Sequence, residues 1–85
     1  MIWTLRIADR AAKQLARLPT KDRQRVAAAL RAMRSDTFGG DIQRLRGQES
    51  TWRRRVGGYR IVYDLDLEHG TMDVLDIVRR TSTTY

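Results

Sequence analysis

"WRRRVGGYRIVY", residues 52–63, holds three consecutive arginines, a glycine pair and a fourth arginine inside an apolar run. Two glycines between two strand-like runs are a strong hairpin signal, because a two-residue type I′ turn needs positive φ at both central positions. With Gly57-Gly58 as that turn, Val56 faces Tyr59, Arg55 faces Arg60, Arg54 faces Ile61 and Trp52 faces Tyr63. Side chains alternate between the two faces of a strand. Trp52, Val56, Tyr59, Ile61 and Tyr63 therefore share one face, and Arg53, Arg55 and Arg60 share the other. Arg54 has core parity, so its stem is expected on Trp52 or Ile61 and its head in water. Like charges directly opposite each other destabilise a sheet by up to about 1 kcal/mol. Stability alone does not select Arg55 against Arg60. The plain explanation is a solvated basic face with Asp64 or Asp76 as ion-pair partners. The sharper one is a phosphate site, because guanidinium groups bind phosphate oxygens bidentately and stay charged at every working pH.

Outward from the hairpin, the chain divides into few elements. "IWTLRIA" (2–8) alternates Trp3, Leu5 and Ile7 against Thr4, Arg6 and Ala8, the period of a half-buried strand. Asp9 is placed to cap a helix through about Leu18, with Ala12, Leu15 and Leu18 on one stripe, and Pro19 ends it. Thr20 is placed to cap a second helix over roughly 21–34, where Val26, Leu30 and Met33 form the apolar stripe and the arginines face out. Residues 35–50 read as a loop, with Gly39-Gly40 and Gly47 as breakers and "DIQRLRG" briefly extended. Strands are expected over 51–56, 59–67 and 71–80, with "EHG" (68–70) turning the chain between the last two. If Leu75 and Ile77 face the helices, Arg80 emerges on the arginine face, and Asp73 and Arg79 carry core parity at the strand ends. The expected fold is α+β: one domain over residues 1–85, β-α-α-β-β-β, an antiparallel-rich four-stranded sheet with two N-terminal helices on one face.

Composition narrows the function. Eighty-five residues suffice for one domain. The chain carries 17 Lys and Arg against 10 Asp and Glu, a formal net charge of +7, which favours nucleic acid or an acidic protein partner. The excess is local: residues 44–60 hold six arginines and one acid, whereas 61–78 hold five acids and no Lys or Arg. No cysteine is present, which excludes disulfides and thiolate metal sites and fits a reducing cytoplasm. No apolar run reaches the roughly 18 residues of a membrane span, and "MIWTLRIADR" lacks the pattern of a signal peptide. A soluble, cytoplasmic protein with no membrane association is expected.

In order and spacing, these pieces resemble the RelE/ParE superfamily of bacterial toxins, and within it the RelE-type messenger-RNA endonucleases. The resemblance is carried by "LRG" at 45–47, an aromatic residue and "RxRV" at 52–56, "GYRIVY" at 58–63, and a closing strand that ends in arginine with a tyrosine beyond. It implies ribosome-dependent cleavage of messenger RNA in the A site. It also implies a cognate antitoxin that wraps and silences the toxin, with a toxin–antitoxin heterotetramer as one assembly. By position, the family's basic pair falls on Arg53 and Arg55, the arginine of its "GYR" motif on Arg60, the arginine ending the last strand on Arg80 and the C-terminal tyrosine on Tyr85. Spacing among relatives leaves Arg79 open for the role given to Arg80.

The chemistry of the residues is compatible with that implication. Metal-free RNA cleavage uses the 2′-hydroxyl as nucleophile and needs in-line positioning, stabilisation of phosphorane-like charge and help for the 5′-oxygen. Arginines suit the stabilising role and make poor bases. The base is then a tyrosine, a ribosomal RNA group or the substrate itself; Tyr85 is a candidate base, since nearby cations lower a phenol's pKa, or a stacking partner for a codon base. Arg44, Arg46, Arg54, Arg79, Arg23 and Arg31 are candidates for further contact with messenger or ribosomal RNA. His69, before Gly70, reads as a turn residue. The acids at 64, 66, 68, 73 and 76 are spread along two strands and a turn, so neither metal nor cofactor is expected. Two alternatives remain open: a ParE-type inhibitor of DNA gyrase without nuclease activity, and a non-enzymatic basic RNA-binding module.

Overall fold

The computed structural model describes residues 3–45, 47 and 50–80. Seven elements follow in order: β1 (Thr4–Ile7), α1 (Asp9–Ala16), α2 (Thr20–Met33), β2 (Asp41–Arg44), β3 (Thr51–Val56), β4 (Tyr59–Asp66) and β5 (Thr71–Arg79). One five-stranded sheet has the order β1-β5-β4-β3-β2. Four strands were expected, and the fifth is β2, formed by residues 41–44 inside the segment read as a loop. Three of the four strand pairs are antiparallel, and β1 lies parallel to β5.

The β3–β4 register is the one the hairpin predicts: Val56 pairs with Tyr59, Arg55 with Arg60, Arg54 with Ile61 and Trp52 with Tyr63. Only Gly57 of the turn has a left-handed φ, at 57°. That fits a type II′ turn, which needs positive φ at its first central residue alone, and replaces the expected type I′.

Both helices pack on the Ile61 face. Val26, Leu30 and Met33 of α2 are buried at the i, i+4, i+7 spacing expected of them. In α1 the buried residue is Ala11 with Leu15 half-buried, and Ala12 points outward. The capping expectations change as well. Ala8 and Pro19 occupy the N-cap positions without side-chain caps, and Asp9 and Thr20 are the first helical residues. Asp9 and Asp22 instead lie in the first turns, where the helix dipole favours a negative charge.

A bulge revises the parity of β5. Val62 pairs with Asp76 and Tyr63 with Val74, so Leu75 has no opposite number. The skipped residue puts Met72, Val74 and Ile77 together in the core and turns Asp73 away from it, against its expected core parity. Asp73 pairs across the sheet with Asp64, and Arg6 offsets the repulsion through two hydrogen bonds to Asp73 at 2.6 and 3.0 Å. Beyond the end of β1, Gln14 of α1 accepts the Ile77 N–H at 2.7 Å and donates to Asp76 at 2.9 Å, which satisfies the exposed edge of β5.

Tyr63, Met33, Ile61, Met72, Val26 and Val74 are fully buried and form the centre of the core. The Tyr63 hydroxyl donates to the Thr37 carbonyl at 3.4 Å, and burial pushes its pKa up to about 12. A phenol that ionises later in the folded than in the unfolded state stabilises the fold below pH ~10, and that contribution disappears as pH rises towards ~12. In urea titrations, the parent protein should lose about 2 kcal/mol more stability between pH 10 and 12 than Tyr63→Phe does. Equal losses would show that the phenol is not held neutral by burial.

Candidate phosphate site on the arginine face

Parity places Arg53, Arg55 and Arg60 on the face away from the helices. Across that face Asp41, Arg55, Arg60 and Val78 form one row of cross-strand neighbours, and Gln43, Arg53, Val62 and Asp76 the next. Arg80 follows β5 directly. Its backbone N–H donates to the Gly58 carbonyl at 2.8 Å and its guanidinium to the Gly57 carbonyl at 3.0 Å, so the hairpin turn fixes its position.

The arginines are not loose surface groups. Arg53 is only 7% exposed and Arg60 only 5%. Arg53 Nη1 donates to the Asp41 carboxylate and to the Asp41 carbonyl, both at 3.1 Å, and Nη2 donates to Gln43 Oε1 at 2.6 Å. β2 is thus the frame that orients Arg53. The Arg53 hydrogen bond, helped by Arg55 and Arg80, holds the Asp41 carboxyl below the usual carboxylate range. Arg55 Nε is buried and has no hydrogen-bond partner among the described residues. A buried donor of this kind costs free energy unless an acceptor arrives.

Arg54 departs from expectation. Its guanidinium lies against Gly40, where a Cβ would come within 2.8 Å of it, and Nη1 is buried rather than in water. Gly40, at φ 79°, gives both the backbone geometry and the space for that approach. Arg79 pairs with Tyr59 at the end of β5 on the helix face, where its charge lowers the Tyr59 pKa against the larger upward push of burial. Position therefore groups Arg80, and not Arg79, with the other three. Arg44 stacks over the Trp52 ring at 5.2 Å on the helix face. Arg23 and Arg31 are exposed on α2, away from this sheet face. Arg46 and Tyr85 lie outside the described residues.

Asp41 and Gln43 escaped the sequence reading. Their signal was the alternation of Asp41 and Gln43 against Ile42, hidden in a segment bracketed by glycines. Asp66, Glu68 and His69 do bring donor atoms within 4.8 Å of one another, closer than the sequence implied, but all three are exposed. The His69 ring and backbone N–H both engage the Asp66 carboxylate, so the group closes the β4–β5 turn. Among the described residues, no helix is long and apolar enough to cross a membrane.

No family model and no curated protein sequence matches the chain. Solved structures do. The archaeal RelE–RelB complex from Pyrococcus horikoshii matches with a TM-score of 0.85 at 20% identity, covering 98% of this chain and 100% of that one. The toxin–antitoxin complex RelBE2 from Mycobacterium tuberculosis matches at 0.81 and 26% identity, covering 94% and 100%. A YoeB/ParE toxin from Agrobacterium tumefaciens matches at 0.76 and 16% identity, covering 92% and 99%. These likenesses show that the chain has the fold of the RelE and ParE toxins.

The turn that carries Arg80 yields a stability test. Gly57→Ala forces a side chain into the left-handed region and should cost about 1 kcal/mol, whereas Gly58→Ala, with open space and no such φ, should be neutral or slightly stabilising. Equal effects in urea unfolding would contradict the turn geometry.

Proposed function

We propose that this protein is the toxin of a toxin–antitoxin pair and acts as a ribosome-dependent, metal-independent endoribonuclease on messenger RNA. The observation that carries the proposal is the gathering of Arg53, Arg55, Arg60 and Arg80 at one end of one sheet face. Stability does not account for that arrangement, because Arg55 and Arg60 are directly opposite each other.

In this mechanism the 2′-oxygen attacks the adjacent phosphorus, the P–O5′ bond breaks, and the strands part with a 2′,3′-cyclic phosphate and a 5′-hydroxyl. The 2′-hydroxyl proton is lost as the 5′-oxygen gains one. Arg53 and Arg55 hold the scissile phosphate, Arg60 stabilises its developing charge and Arg80 assists the leaving oxygen. By the family resemblance, Tyr85 is the base or stacks on the codon. No carboxylate–histidine pair belongs to the arginine cluster, so the ribosome must align the reacting atoms in line. Cleavage of free RNA is correspondingly slow.

The structural neighbours from Pyrococcus horikoshii and Mycobacterium tuberculosis are complexes with antitoxins. By analogy, a cognate antitoxin is this chain's partner, and carboxylates of that partner cover the arginines. A gyrase-poisoning role shares the fold but leaves the four clustered arginines without a common task.

Messenger RNA set in the A site of purified ribosomes should be cut, and the same RNA free in solution should not. Arg80→Ala should abolish the cut. Arg55→Ala should slow single-turnover cleavage by about a hundredfold while changing stability by less than about 1 kcal/mol. Intact RNA in both samples, together with DNA breaks when gyrase is present, would overturn the proposal. A Tyr85→Phe variant that cleaves at the parent rate would remove the tyrosine from the role of base.

A further inference from the structure

Asp41 is the acid that contacts the arginine cluster, and its placement is specific. Its side chain is 60% exposed, whereas the Arg53 side chain beneath it is 8% exposed. The carboxylate therefore stands on the solvent side of a buried guanidinium. It meets Arg53 Nη1 at 3.1 Å and sits directly across the strand from Arg55, and Arg80 is close enough to favour its negative charge. Carboxylate and phosphate oxygens accept from the same guanidinium donors. Because Arg53 is buried, its charge needs a counter-ion, and on the exposed side of the pair another anion can take over the contact that Asp41 makes.

We propose that Asp41 is a built-in stand-in for the RNA phosphate: its carboxylate occupies the anion position over Arg53 in the resting protein and leaves it when a phosphodiester binds. The assignment rests on the phosphate-site reading above and adds a residue to it. Two consequences follow from the geometry. The carboxylate keeps Arg53 and Gln43 aligned while the site is empty of RNA. It also sets a threshold, because a single small anion gains only the Arg53 contact that Asp41 already makes. A backbone phosphate that reaches Arg53, Arg55 and Arg80 together gains more. Asp41 is thus a positioning and selectivity residue, acting through Arg53.

Inorganic phosphate is the first probe, followed by a 2′-O-methyl RNA hexamer that lacks the nucleophile. Titrations followed by nuclear magnetic resonance read the Arg53 guanidinium and the Asp41 carboxyl carbon. In the parent protein, saturation with the hexamer should shift the Asp41 carboxyl signal as the ion pair opens. Asp41→Asn keeps an acceptor oxygen for Arg53 without the charge, and should bind phosphate about fivefold more tightly than the parent. Asp41→Ala loses both charge and acceptor and should gain less. An unchanged or weaker phosphate affinity in Asp41→Asn overturns the proposal. So does a bound hexamer that leaves the Asp41 signal in place, a readout that needs no variant to fold. Absence of any response to phosphate or hexamer overturns it together with the anion site. Tighter binding in Asp41→Asn with a displaced carboxylate, but no cleavage on the ribosome, keeps the inference and defeats the nuclease reading.

Discussion

Side-chain parity about the Gly57-Gly58 turn is the constraint on which the rest of the structure depends. Two residues join β3 to β4, so each residue of one strand has a defined partner on the other. A slip of one position in β3 would bring Arg53 and Arg55 into the core and expose Trp52 and Val56, and the same slip in β4 would bring in Arg60 and expose Tyr59, Ile61 and Tyr63. The apolar set is buried against the helices, so the core enforces the register. The register in turn forces Arg55 against Arg60. Core packing thus fixes that positions 55 and 60 face each other, but not that both are arginine.

The repulsion between Arg55 and Arg60 is tempered from the edge of the sheet. β2 is only four residues long, yet it supplies Asp41 and Gln43 to Arg53 and a second neighbour to Arg55. At the other end of the face, the turn carbonyls of Gly57 and Gly58 anchor Arg80. The charge of the chain is segregated accordingly. Arginines converge near the hairpin turn, and Asp64, Asp66 and Asp73 gather around the start of β5, where Arg6, Thr51 and His69 bond to them. The net charge therefore understates the positive field at the site.

Local chemistry made the hairpin legible from sequence, and with it the arginine face and the Val26, Leu30 and Met33 stripe. What escaped depended on contacts between distant residues. Nothing local in "TLRI" says that β1 pairs in parallel with β5, some 67 residues away. The bulge at Leu75 flips parity within an otherwise regular alternation, so Asp73 was assigned to the wrong face. "DIQR" reads as briefly extended, but it is too short, and too closely bracketed by glycines, to announce that it pairs with β3 as a fifth strand. The rule for long cations sends the Arg54 head to water, but Gly40 leaves room for it against the backbone. The helix caps lie one residue earlier than expected, because the helices begin at Asp9 and Thr20 themselves. Resemblance to the RelE-type toxins implies roles for particular arginines, and the solved structures show the shared fold while leaving those roles to experiment.

The central claim is that four arginines, without a metal, hold one scissile phosphate. Replacement of a non-bridging oxygen of that phosphate by sulfur weakens guanidinium hydrogen bonds directly. On ribosomes carrying such a messenger RNA, the account predicts cleavage at least tenfold slower, with no recovery on adding a thiophilic cation such as manganese or cadmium. Cleavage at the unmodified rate, or rescue by those cations, would contradict it.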